Sequence, residues 1–120
     1  MIQLAVAVLL AHHSFAADFD AGRRVTLSGR VTRIEWLNPH VHIYIDVTGE
    51  RGSATAWSIE LGSPNGLRDR GWTTTSLKVG DLITIDGSLA KDGSNLANAR
   101  SVVLASGVRM STGPRQGDTS

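Results

Sequence analysis

"HVHIYIDVTGE", residues 40–50, decides how this chain folds. Val41, Ile43, Ile45 and Val47 alternate with His40, His42, Tyr44 and Asp46. Successive side chains of a strand point to opposite faces, so the run is a strand with one aliphatic and one polar face. "TGERG" then turns the chain. "SATAWSIELG", residues 53–62, alternates again, with Trp57, Ile59 and Leu61 on the core side and Ser58 and Glu60 outside. The two runs read as a β-hairpin.

Upstream, "VTLSGRVTRIEW" (25–36) is a strand whose apolar phase shifts from Val25, Leu27 and Val31 to Ile34 and Trp36. A phase shift inside one run signals a β-bulge, and Gly29 permits a sharp bend. Asn38-Pro39 ends the strand. Downstream, "SPNGLRDRGW" (63–72) reads as one short helix over 64–70. Ser63 caps it, Pro64 suits its first position and Gly71 stops it. Leu67 and Trp72 anchor it to the core. After a turn at 78–81, "LITIDGSL" (82–89) is a fourth strand, "KDGSN" (91–95) a hairpin turn and "LANARSVVLASG" (96–107) a fifth strand. From residue 108 the chain is polar and rich in Gly, which reads as a disordered tail over 108–120.

Three strands, one short helix and two more strands is the order of an OB-fold-like five-stranded Greek-key barrel. A small antiparallel β-sandwich is the alternative. The barrel reading places Val41, Ile43, Ile45, Val47, Ile59, Leu61, Ile83 and Ile85 inside. The 120 residues suffice for one such domain with tails. Thirteen glycines fit short strands and many turns.

Composition narrows the partners. Net charge is +1, and only three Trp, two Phe and one Tyr are present. Neither a strong field nor a supply of stacking rings is evident, so nucleic acid is not expected as a partner. The absence of cysteine excludes disulfides, thiolate nucleophiles and Cys-ligated zinc.

"MIQLAVAVLLA", residues 1–11, looks like the apolar core and cleavage site of a secretory signal peptide, although no Lys or Arg precedes the run. It is too short to span a bilayer of about 30 Å. The expectation is an exported, periplasmic protein with no stable membrane insertion after processing, and an N-terminal arm over 12–24. Cleavage after Ala11 leaves His12 first, with an amine and an imidazole on one residue. Cleavage after Leu10 leaves Ala11-His12-His13, where an amine, two backbone nitrogens and the third residue's imidazole can form a square plane. Such nitrogen donors suit Cu(II) or Ni(II).

The motifs "AHHSFAADFD" (11–20), "VTRIEWLNPH" (31–40), "ELGSPNGLRDRGW" (60–72), "LKVGD" (77–81) and "KDGSNLANARSV" (91–102) together resemble a family of small exported bacterial proteins of unknown function. The resemblance covers about residues 11–105. It implies export and a small β-fold, and carries no established activity, catalytic residue or cofactor.

Chemistry concentrates in the histidines. His40 and His42 share one strand face, a spacing used by metal half-sites. With His12 and His13 they are the candidate ligands for a metal ion, copper foremost. Tyr44, Asp46 and Trp36 are weaker candidates for contact with a ligand. The remaining signals are structural. Glu35, Asp46 and Glu60 show no spacing that makes an acid–base pair, and "GSPNG" is not the G-x-S-x-G of a nucleophile elbow. No enzyme is expected. A periplasmic module binding a metal ion or a small molecule is the first reading. A structural module that docks on a periplasmic protein is the second, and an oligonucleotide-binding barrel ranks below both.

Overall fold

A computed structural model describes residues 15–113. Residues 1–14, which include the expected signal segment 1–11, His12 and His13, and residues 114–120 lie outside the described residues. A one-turn helix α1 (Phe15–Asp18) leads into β1 (Phe19–Glu35), followed by β2 (His42–Thr48) and, after a 3-10 turn at Glu50–Gly52, β3 (Ala54–Glu60). Helix α2 (Pro64–Asp69), β4 (Leu82–Ala90), β5 (Leu96–Val103) and the short β6 (Arg109–Ser111) complete the chain. The sheet order is β3-β2-β1-β4-β5-β6, and β3 also pairs with β5. That pairing is parallel, Ser58–Glu60 against Leu96–Asn98, and it closes five strands into a ring. The barrel holds and the sandwich falls.

The core is the one that alternation implies. Val41, Ile43, Ile45, Ile59, Leu61, Ile83 and Ile85 are buried in one cluster with Leu67, Trp72 and Val102. Burying each large aliphatic stabilises the fold by about 1.5–3 kcal/mol. Val47 departs from the expectation and is only partly buried. It lies one residue from the end of β2, where the barrel opens toward the turn.

The helix follows its local code. Ser63 Oγ accepts the Gly66 N–H at 3.0 Å and Pro64 opens the first turn. At the other end Gly71 takes φ +94°, its N–H donates to Arg68 O, and the Trp72 N–H donates to Leu67 O, both at 3.0 Å. These two bonds are a Schellman motif, which satisfies carbonyls a helix end leaves open and turns Trp72 back onto Leu67.

Three boundaries differ from expectation. Phe19 to Arg24, assigned by sequence to the arm, are strand: Phe19 pairs with Ala90 and Arg24 with Ser88, with a register shift between Asp20 and Arg24. Burial of Phe19 holds this segment down. The bulge against β2 falls between Val31 and Arg33, two residues beyond Gly29. Gly29 serves close approach instead, since a Cβ there would lie 2.5 Å from the Asp46 carbonyl oxygen. Lastly, Arg109–Ser111 form a strand on β5 where a tail was expected. The Trp72 indole N–H donates to Ser111 O at 2.9 Å, and buried Thr112 donates its hydroxyl to Ala99 O. These tertiary anchors outweigh the polar composition of the segment.

Gly29→Ala should lower stability by about 1–3 kcal/mol, because backbone has to move to admit the methyl. Gly49→Ala should change it by far less, since the nearest atom to a Cβ there is the Ser53 hydroxyl at 3.6 Å. Urea midpoints of the two variants check the contrast; equal midpoints would refute the tight β1–β2 contact.

Candidate functional site

The polar face of β2 meets β3 through a fixed register: His42 pairs with Glu60, Tyr44 with Ser58 and Asp46 with Ala56. The pairing continues beyond the strand ends. The Val41 N–H donates to Gly62 O at 2.9 Å and the Leu61 N–H to Val41 O at 2.8 Å. The backbone between His40 and His42 is therefore pinned to the backbone flanking Glu60.

Glu60 sits between the two imidazoles. One carboxylate oxygen is 3.6 Å from His40 Nδ1 and the other 3.8 Å from His42 Nε2. The side chains of His40 and Glu60 are 11% and 8% exposed, against 33% for His42, so the carboxylate is buried and one ring reaches the surface. Glu60 points away from the core yet is covered. It lines a cavity of about 180 Å³ with Ala17 and Asp18 of α1, Phe19 at the start of β1, and Lys91, Asp92 and Leu96 around the β4–β5 turn. The arm is tied there by the Lys91 N–H, which donates to Asp18 O at 2.9 Å, and by the Phe15–Phe19 ring stack. In the turn, Ser94 donates both its hydroxyl and its N–H to Asp92, which holds that carboxyl below its ordinary pKa.

The sequence pointed to His40 and His42, and they do converge. It did not single out Glu60. The signal was available: once β2 and β3 are read as a hairpin, the outward position opposite His42 is a carboxylate. The weaker candidates go elsewhere. Asp46 lies four residues along β2, about 13 Å from His42, and lines a separate open groove of about 620 Å³ with Arg30, Thr48 and Thr84. Trp36 is half-buried against the core, with the Arg68 guanidinium 5.8 Å from its ring centroid. Among the described residues, no three His, Cys, Asp or Glu side chains form a ready ligand group for a metal ion.

Tyr44 belongs to a network of its own beside the histidines. Its hydroxyl donates to Glu35 Oε1 at 2.7 Å, while Arg33 pairs with the other Glu35 oxygen at 2.6 Å and sits 5.4 Å from the Tyr44 ring centroid. The hydrogen bond to Glu35, burial and the Glu35 charge raise the Tyr44 pKa, against a smaller opposing effect of Arg33. The folded chain holds this proton more tightly than the unfolded one. Its contribution to stability is thus intact below the unfolded tyrosine pKa and is lost as pH rises through the folded value. Tyr44 is the sole tyrosine, so ultraviolet titration of the phenolate reads it directly. The midpoint should lie above that of a free tyrosine and fall in Glu35→Gln; an unchanged midpoint in the variant would break the assignment.

Comparisons with known proteins bear on both fold and partners. A crystal structure of Rim1, the mitochondrial single-stranded DNA binding protein of S. cerevisiae, superposes with a TM-score of 0.54 at 15% identity, over 72% of this chain and 94% of that one. At that identity the likeness shows the fold. It also overturns the exclusion of nucleic acid drawn from composition, because a single-stranded DNA binding protein is built on this barrel. Net charge was the wrong quantity: strand binding rests on cations and rings placed along one groove, not on the sum over the chain. No curated protein matches the sequence. A family model matches residues 1–99, and the chain belongs to that family, a family of unknown function (DUF6152).

Proposed function

We propose that this protein is an exported, periplasmic metal-binding module in which the arm histidines His12 and His13 join His40 and His42 around one ion, copper foremost. The observation that carries the reading is the convergence of His40 and His42 on buried Glu60, at the end of the barrel where the arm docks. His13 precedes Ala17 by four residues, a span of at most about 14 Å, and Ala17 lines the same cavity as Glu60. Chain length therefore permits arm and strand ligands to share an ion. The donors are imidazoles and, after cleavage at residue 10 or 11, a free α-amine. Cu(II) tops the Irving–Williams order for such nitrogen ligands.

The test is Cu(II) titration of the processed protein against a version carrying one extra N-terminal Met, and against His40→Ala. The extra residue displaces the α-amine and leaves every side chain in place. Each change should weaken binding at least about tenfold, or 1.4 kcal/mol. Equal affinities, or binding no tighter than that of a generic His-containing peptide, would make the histidines structural.

A second reading follows from the likeness to Rim1. In OB barrels the β2–β3 face, with the β1–β2 and β4–β5 connections, takes up oligonucleotides and oligosaccharides. Here that face carries Tyr44 with Arg33 against its ring. A single-stranded nucleic acid stacked on Tyr44 would lose about 1–3 kcal/mol of affinity in Tyr44→Ala. Anisotropy of a labelled oligothymidylate of about 15 nucleotides at low salt checks this. No binding by the wild-type chain, or no loss in the variant, removes the reading.

A further inference from the structure

We infer that the outer face of β1, β4, β5 and β6 is a surface for phosphate groups, and that its occupant is a linear phosphate chain of the inorganic polyphosphate type. This face is separate from the histidines and from Tyr44 and rests on neither reading above. Strand register builds it in rows. Thr26, Asp86, Ser101 and Ser111 lie side by side across the four strands, and Ser28, Thr84, Val103 and Arg109 form the next row. Directly opposed residues share a face, and the alternate positions Leu27, Ile83, Ile85 and Val102 are buried in the core. Arg24 and Arg30 flank the rows along β1. Helix α2 adds Arg70, whose guanidinium donates to Ser111 Oγ at 3.3 Å. Arg100 is exposed beside Ser101, where β5 shifts register against β4.

What the arginines bond to points to the ligand. Arg109 Nη1 donates to Ser101 Oγ at 2.8 Å and Arg30 Nη1 to the Gly80 carbonyl at 2.6 Å. With Arg70 they are held by neutral oxygens, which aim each guanidinium and leave its charge uncancelled. The carboxylates that register brings to the face are Asp86, spent on Arg24 at 3.0 Å, and Asp46, opposite Arg30 at the β2 edge. The chain as a whole carries only +1, so the positive excess is concentrated here. A guanidinium keeps donors to spare after one bond and matches phosphate oxygens in pairs. The serine and threonine hydroxyls between the arginines can donate as well. A single phosphate would meet one or two of these groups, whereas a chain laid from Arg30 toward Arg70 meets them in succession. The rows contain no Trp, Tyr or Phe, so bases would find no ring to stack on. A chain of phosphates without bases loses nothing by that.

The experiment is calorimetric binding of inorganic polyphosphate of about 15 units to the full chain at low salt. Oligothymidylate with the same number of phosphates and vesicles containing an anionic phospholipid are run beside it. Polyphosphate should bind, with log affinity falling linearly against log salt. The double variant Arg70→Gln/Arg109→Gln should weaken binding at least about tenfold and flatten the salt slope by about 1.4, since each lost phosphate contact accounts for about 0.7. Both side chains are exposed, so the variant should keep its fold. Arg109→Gln alone should lose part of the affinity. Lys91→Gln, which removes one positive charge at the β4–β5 turn, and Tyr44→Ala should leave it unchanged. No binding of polyphosphate, an equal loss in Lys91→Gln and Arg109→Gln, or binding to the vesicles alone overturns the inference. Oligothymidylate bound more tightly than polyphosphate would show that bases are read, and overturns it too.

Discussion

The barrel is closed by a seam only three residues long, Ser58–Glu60 of β3 beside Leu96–Asn98 of β5. Every other neighbouring pair of strands is antiparallel. A parallel pair needs a long crossover, and this chain supplies one through α2 and β4. Closure puts Ile59 beside Ala97 in the core. It also places Glu60 between His42 on one side and Asn98 on the other. The carboxylate is central because the seam is there.

That location explains how one small domain can gather polar groups from distant parts of the sequence. The start of β2, the end of β3, the β4–β5 turn and the arm meet at one end of the barrel. The core cluster is made of apolar side chains alone and contains none of these polar groups. A fold of this kind hosts many functions for that reason, and the surface chemistry distinguishes them. Here it is a buried carboxylate flanked by imidazoles, next to a tyrosine tied to its own carboxylate and guanidinium.

Much of the fold was legible because it is written locally. Alternation in 41–47 and 57–61 gives two strands and their inner faces, and Ser63, Pro64 and Gly71 bracket a helix through backbone chemistry alone. What escaped depends on contacts remote in sequence. β6 exists because Trp72 and Ala99 bind Ser111 and Thr112, and no property of "RMS" announces that. The same divide runs through the site. His40 and His42 share a face by periodicity, but the partnership with Glu60 requires strand register. Tyr44 and Asp46 share that face too, yet strand rise carries Asp46 away to another groove. Periodicity reports direction and says nothing of distance.

The seam with β3 ends at Asn98, and β5 runs on to Val103 without β3 beside it. β6 lies along Ser101–Val103 and covers this stretch. Exposed strand edges are templates on which other chains add, and proteins blunt them with very short strands and charged side chains. β6 has three residues, of which Arg109 and Ser111 are exposed and Arg109 is charged. The segment that reads as a loose tail is therefore a short edge strand: it pairs with the part of β5 that the seam does not reach.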